Sequence, residues 1–300
     1  MQRFLDFVEI QTKLATILPF LAALAYVFYT IGTINLSSTL IYIIAALLLD
    51  MSITAINNHF NRREEGKKPH YGYWGGLGVI GVMLLVFACL GLYLAYIHGI
   101  TILLAGAFCL FIGIIYTLGP APISKTTYGE LVSGFVVGTV IMFIVVSINN
   151  PYFQPLGLYF DSNGLRLAMD IDLLGLFSFG LVTLPATFSI SNILLANNIC
   201  DEEEDRLLRY TLVHHIGRDN ALWLFAALYV GVYLAIVLAS ILGLVPLWSL
   251  LTLLTVVPVQ RNIRAFFEKQ VKAETFALSI KNFVIISLSF TLCMIIGGLL

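Results

Sequence analysis

Nine stretches of this chain are each apolar enough, and most of them long enough, to lie across a bilayer, and that feature most constrains what the chain can fold into. A spanning helix needs about 20 mostly apolar residues, and such runs occur at about 14–33, 38–59, 76–97, 100–118, 129–148, 173–198, 219–242, 245–260 and 280–299. Backbone polar groups have no water to bond inside hydrocarbon, so only helices and closed barrels cross it. The short alternating segments of a barrel are missing from the sequence. The expected fold is therefore all-α: a polytopic membrane protein with nine transmembrane helices in a single bundle and one domain over 1–300. Its pseudo-repeat halves lie at about 14–118 and 129–260, followed by a ninth helix at about 280–299. Gly243 and Pro246 separate the seventh and eighth runs so closely that a merged or re-entrant pair is the alternative. Only 11% of residues are charged, against about 25% in soluble domains. A net charge of −1 excludes a basic surface for nucleic acid, so membrane lipids are the expected surroundings. The four cysteines, Cys89, Cys109, Cys200 and Cys293, have neither disulfide-framework nor zinc spacing.

Charge asymmetry tests the helix count, because basic residues collect in cytoplasmic loops. With the N-terminus inside, all sixteen Lys and Arg but one, Arg166, fall in inner segments. The expected location is the cell (plasma) membrane, with the N-terminus and the motif-bearing loops cytoplasmic and the C-terminus outside. Arg3 and Lys13 precede the first apolar run in the manner of a signal peptide, but Asp6 and Glu9 spoil a positive leader and the run is long for a signal core. The first run is expected to be a retained helix.

Two inner segments carry chemistry. The second span ends in Asn57-Asn-His-Phe-Asn-Arg-Arg-Glu-Glu65, the sixth in Asn197-Asn-Ile-Cys-Asp-Glu-Glu-Glu-Asp205. Asn57, Asn61 and Glu65 recur every fourth residue, as do Asn197, Asp201 and Asp205, so each set forms one helical stripe. Each begins with an Asn-Asn pair, Asn57-Asn58 and Asn197-Asn198, and each closes an even-numbered span facing the same compartment. This is the pattern of a duplicated half-site. Carboxylates at a helix C-terminus add to a dipole end that is already negative, so a cation is required. Oxygen-only donors suit Mg2+, which commonly bridges one or two carboxylates to substrate phosphates. A solvated acidic helix end is the simpler reading of 201–205 taken alone; the buried amides of the matching half weigh against it.

On these residues the sequence resembles the intramembrane aromatic polyprenyltransferases, the UbiA superfamily, and within it the 1,4-dihydroxy-2-naphthoate polyprenyltransferase branch. Asn197-Asn-Ile-Cys-Asp-Glu-Glu-Glu-Asp-Arg206, followed by Thr211-Leu212, is similar to that branch's Asn-Asn-x-x-Asp-x-x-x-Asp-Arg…Thr-Leu signature. Tyr116-Thr-Leu-Gly-Pro-Ala-Pro122 with Gly129-Glu130 resembles its Tyr-Thr-Gly-Gly-Pro-x-Pro…Gly-Glu segment. The resemblance implies Mg-dependent transfer of a polyprenyl group from polyprenyl diphosphate to an aromatic acceptor, dihydroxynaphthoate, giving demethylmenaquinone. One departure stands out. The family's first motif usually reads Asn-Asp-x-x-Asp, whereas Asn57-Asn-His-Phe-Asn61 carries amides in place of two carboxylates, with Glu64 or Glu65 as possible substitutes.

The expected metal ligands are Asn57, Asn61, Glu65, Asp201 and Asp205, with Asn57, Asn58, Asn197, Asn198, Lys13, Arg62, Lys125 and Arg209 binding the diphosphate donor. Lys125 and Lys13 are the preferred basic pair. Tyr116 is the candidate ring for stabilising an allylic cation, or else an interfacial belt residue. Glu130 or Asp201 is the candidate proton acceptor. Asp50, two turns before Asn57 and deeper in the bilayer, either orients the acceptor or first-motif amides, or pairs with a neighbouring helix. His59, His214 and His215 are expected to be ordinary loop residues, Pro185 to kink the sixth span, and Arg261 to Glu274 to form an interfacial helix. Rival readings are a secondary transporter and a non-catalytic quinone- or lipid-binding membrane protein.

Overall fold

The computed structural model describes residues 2–64, 70–153, 155–160, 167–205 and 209–300, with the side chains of 61–64, 158–160, 167–168 and 204–205 outside the description. The chain opens with α1 (Gln2–Val8), a 3-10 turn (Ile10–Lys13) and α2 (Leu14–Ile31), followed by α3 (Leu36–Glu64), α4 (Gly72–His98) and α5 (Ile100–Thr117). The second half begins with α6 (Gly129–Ser133), which winds into a π-helical segment (Gly134–Val140) and then α7 (Ile141–Asn149), so these three form one rod. It continues with α8 (Leu173–Cys200), α9 (Glu202–Asp205), α10 (Leu212–Ile216), α11 (Arg218–Ile241), a 3-10 segment (Leu247–Thr255), α12 (Val256–Glu268) and α13 (Phe276–Leu299).

Among the described residues, eight helices are long and apolar enough to cross a membrane. The run expected as a span at 245–260 differs from them. Pro258 lacks the N–H that a continuous α-helix would donate one turn back, and the stretch is wound as 3-10 helix up to Thr255, with α12 restarting so that Pro258 falls in its first turn. The mixed rod still recrosses the bundle: Pro246 at its start packs on Gly297, Tyr233 Oη and Thr255 Oγ1 meet at 2.8 Å, and Gln270 just beyond its end accepts from Arg218 Nη2 at 3.1 Å. Of the stretch expected as an interfacial helix from Arg261 to Glu274, residues up to Glu268 belong to α12, which exposes Arg261 and Arg264 and packs its other face inward. Phe266 of α12 is fully buried against Phe225, ring centroids 4.7 Å apart, and Asn262 donates to Asn282 Oδ1 at 2.7 Å. A second difference from an all-helical expectation is a small antiparallel hairpin, β1 (Leu156–Phe160) with β2 (Leu167–Ile171), Leu156 opposite Ile171, in the 149–172 connection.

Lipid offers helices no hydrophobic reason to associate, so close packing and interhelical hydrogen bonds hold them together. The π segment shows both. A Cβ at Gly138 would lie 2.6 Å from the Thr187 backbone of α8, and Thr139 Oγ1 meets the hydroxyls of Thr183 at 3.1 Å and Thr187 at 2.8 Å. Helix α8 runs through Pro185 as one element, and Ser189 Oγ donates to the Pro185 carbonyl at 2.7 Å. At the hairpin end of the bundle, Asn149 Oδ1 accepts the Asn35 N–H at 2.8 Å and Ser38 Oγ meets His98 Nε2 at 2.8 Å. The other end gathers the starts of α2, α6 and α11 with the ends of α3, α8 and α12.

Candidate active site

A cavity of about 670 Å³ opens among α2, α3, α4, α5, α8 and the α6–α7 rod. Leu49, Ile53, Phe87, Leu110, Val137 and Ile144 represent its largely apolar wall. On α3 the spacing of Asp50, Thr54 and Asn57 puts all three on one helical face, and all three line the hollow. Glu9, Thr12 and Thr16 extend this polar strip from the N-terminal segment. Asn197 of α8 and Tyr116 of α5 line the same hollow. The first asparagine of each Asn-Asn pair therefore faces one shared space.

The second asparagine of each pair does not line it. Asn58 Nδ2 donates to the Phe7 carbonyl and to Glu9 Oε1, both at 3.0 Å, while Asn198 Nδ2 donates to Glu130 Oε1 at 2.8 Å. Helix geometry explains the split, since adjacent residues point about 100° apart. Both amides position a glutamate rather than facing the cavity. Glu130 is 4% exposed and also outside the cavity lining, and its carbonyl accepts Ser191 Oγ at 3.0 Å. Among the described residues, the carboxylates that do line the hollow are Asp50 and Glu9.

Lys13, expected to contact phosphate, is 2% exposed and turned into the bundle, where its ammonium meets Asp50 Oδ1 and Thr54 Oγ1, each at 2.7 Å. Thr16 Oγ1 donates to Asp50 Oδ2 at 2.6 Å. A buried charge survives only when paired, and this pair holds the Asp50 carboxylate at the cavity wall. The sequence offered acceptor binding and helix pairing for Asp50; the structure shows the pairing and places the residue where a ligand would touch it.

Helix α8 ends at Cys200, and Asp201 caps it, accepting from Asn197 Nδ2 at 3.1 Å. The Lys272 ammonium, 71 residues further on, closes directly on the same Oδ2. Nothing in the sequence singled out Lys272; the electrostatic need for a cation at this helix end is met from the turn before α13. Around it, Arg218 reaches Glu202 at 3.6 Å, and the Tyr210 N–H donates to the Lys125 carbonyl at 3.1 Å, tying two site-end loops together. Lys125 and Arg209 sit in these loops and not in the cavity lining. His214, expected to be an ordinary loop residue, caps α10 through Thr211 Oγ1 at 3.0 Å and bridges to the Glu202 carbonyl at 3.1 Å. His59 is likewise buried on α3 beside Gly76 and the Tyr73 ring. Asn61, Arg62 and Asp205 lie on described helix backbone with undescribed side chains, and Glu65 lies outside the described residues.

The UbiA prenyltransferase family model matches residues 16–284. The chain belongs to that family. A curated relative, 1,4-dihydroxy-2-naphthoate octaprenyltransferase of Bacillus subtilis (strain 168), is 27% identical over 206 residues, covering 68% of this chain and 58% of that protein. Among solved structures, a UbiA homolog from Archaeoglobus fulgidus bound to Cd2+ superimposes with a TM-score of 0.68 at 12% identity, over 99% of this chain and 100% of the other. The same homolog bound to GPP and Mg2+ gives 0.67 at 11% identity, with coverage of 99% and 100%. A digeranylgeranylglyceryl phosphate synthase gives 0.63 at 14% identity, covering 99% and 98%. These likenesses establish that the bundle has the UbiA fold and is an integral, multi-pass membrane protein.

The donors at this site suit Mg2+. Asp201, outside the cavity lining, already holds a cationic group, and Asn57, Asn197 and Glu9 are oxygen-bearing side chains lining the hollow, where the soft donor Cys109 belongs to the α5 wall.

Proposed function

We propose that this UbiA-family chain transfers a polyprenyl group from polyprenyl diphosphate to 1,4-dihydroxy-2-naphthoate, releasing diphosphate and CO2 and giving the quinol form of demethylmenaquinone, which is oxidised to the quinone outside this reaction. One observation carries the reading: Asn57 and Asn197, from motifs 140 residues apart, line one hollow whose remaining wall is mainly apolar. A donor with an anionic head and a hydrocarbon tail needs that combination. The name of the Bacillus relative supports the acceptor and the solved homolog with GPP and Mg2+ supports the donor class. The motif-bearing end faces the cytoplasm of the cell membrane, with the N-terminus inside and the C-terminus outside, because the Lys and Arg residues gather there.

Bound Mg2+ would neutralise charge developing on the leaving diphosphate, held by Asp201, Asp205 and the Asn57/Asn61 stripe. The protein's own residues do the rest. Asn57 and Asn197 orient phosphate oxygens by amide hydrogen bonds, and Lys272, released from Asp201, pairs with the diphosphate. The apolar wall excludes water while the allylic C–O bond breaks. Tyr116 presents its ring to the cationic carbon. Asp50 keeps unused lone pairs after bonding Lys13 and Thr16, and accepts a hydrogen bond from an acceptor hydroxyl, orienting the ring for attack through carbon.

The test is purified protein with Mg2+, radiolabelled polyprenyl diphosphate and dihydroxynaphthoate, followed by lipid extraction. A prenylated product is expected, lost with chelator and restored by Mg2+. Its absence across several chain lengths and aromatic acceptors would discard the proposal.

A further inference from the structure

We infer that Glu9 is a carboxylate of the first half-site, supplying charge where Asn58 and Asn61 stand in place of the usual carboxylates so that the site holds a divalent cation together with a diphosphate; this rests on the prenyl-transfer reading above. A dication bridged to diphosphate draws on anionic protein oxygens, and the α3 stripe turns Asn57 toward the hollow. Among the described residues, the carboxylates lining that hollow are Glu9 and Asp50. Asp50 is neutralised by Lys13. Glu9 forms no ion pair among the described residues; its side-chain hydrogen bond is the neutral one from Asn58 Nδ2 to Oε1 at 3.0 Å. Its second oxygen and the remaining lone pairs are left for a cation.

The backbone reinforces the assignment. Glu9, with φ 47° and ψ 61°, is the one non-glycine residue in the left-handed region among those described. That conformation costs about 1 kcal/mol or more and persists only where surroundings over-determine it. They do so from both sides. Before it, Phe7 and Val8 are fully buried, with Phe7 against the rings of His70 at 5.5 Å and Tyr71 at 5.4 Å. After it, the N–H and Oγ1 of Thr12 both donate to the Glu9 carbonyl, at 2.9 and 2.8 Å. The sharp turn between α1 and the 3-10 segment brings the Glu9 side chain onto Asn58 and the cavity.

The internal repeat shows what changed. Glu9 directly precedes the first span and binds Asn58 near the end of the second; Glu130, at the start of the fifth, binds Asn198 near the end of the sixth. The same contact occurs in both halves. In the second half, Asp201 supplies charge and Glu130 stays buried behind the wall. In the first, position 61, the counterpart of Asp201, carries an amide and Glu9 opens to the hollow. Asn58 thereby acts as the positioning residue for a carboxylate supplied by another segment.

The experiment titrates Mn2+, read by electron paramagnetic resonance, into the detergent-solubilised full chain with methylene diphosphonate. Glu9→Gln is expected to weaken Mn2+ at least tenfold, and Asn57→Asp added to Glu9→Gln to recover most of that loss by placing an α3 carboxylate at the hollow. Glu9→Gly, which relieves the backbone strain while removing the carboxylate, should show the same weakening with helical circular dichroism intact. Unchanged Mn2+ affinity in folded Glu9→Gln or Glu9→Gly overturns this assignment alone. Wild-type protein that binds no Mn2+ with the diphosphonate overturns both it and the prenyl-transfer reading.

Discussion

The ends of α3 and α8 are two versions of one device. Each turns the first asparagine of a pair into the hollow and donates the second to a glutamate at the head of a preceding span. They diverge in where charge is kept. At the α8 end the carboxylate is the buried partner: the Asp201 side chain is 10% exposed and meets Lys272, whose side chain is 55% exposed. The α3 end sinks the cation instead, with Asp50 paired to a buried Lys13 and Glu9 brought in from outside the helix. The difference teaches that a duplicated scaffold fixes helix faces, while the placement of formal charge drifts independently in each half.

Three paired experiments would break or sharpen this contrast. The largest effect is expected on turnover. Asp201→Ala removes the carboxylate proposed above to hold the metal at the leaving group and should lower prenyl transfer about 10²–10³-fold, whereas Asn57→Ala removes one neutral hydrogen-bonding group and should cost about tenfold. Equal losses in the product assay would erase the asymmetry. Next comes stability: Lys13→Met leaves Asp50 without its buried partner and should cost about 3 kcal/mol, visible as a lower unfolding temperature in detergent. Lys272→Met, which removes a lysine still half in solvent from the buried Asp201, should cost less, about 1–2 kcal/mol. The reverse order would show the ion pairs misassigned. Smallest is the glutamate-holding amide. Asn198→Ala strips a buried carboxylate and should cost about 2 kcal/mol, against about 1 kcal/mol for Asn58→Ala beside half-exposed Glu9; equal shifts in the same melt would mean the two glutamates share one environment.

Much of the fold was legible because span length, apolarity and basic-residue parity are local or additive properties. The 245–260 run shows the limit: its composition announced an apolar segment, but a 3-10 rod turning into α12 depended on Pro258 and on packing against α11 and α13. The stretch from Arg261 to Glu274 shows the same limit, since interleaved basic and aromatic residues say nothing of Phe266 finding a slot beside Phe225. The four-residue stripes exposed Asn57 and Asn197 as partners because helix periodicity makes register visible. Asn58 and Asn198 entered the candidate set by adjacency, and only neighbouring elements show that they serve Glu9 and Glu130.

By itself the sequence determined the class of solvent the chain inhabits, the repeat of two amide-bearing helix ends and the residues facing the same way on each, because periods of 3.6 residues and stretches of about 20 are written in order along the chain. Tertiary structure alone decided which charges meet: Lys13 with Asp50, Lys272 with Asp201 and Asn58 with Glu9 are 37, 71 and 49 residues apart. Coulomb and hydrogen-bond energies depend on distance in space, and distance in space between such residues exists only once the helices have packed.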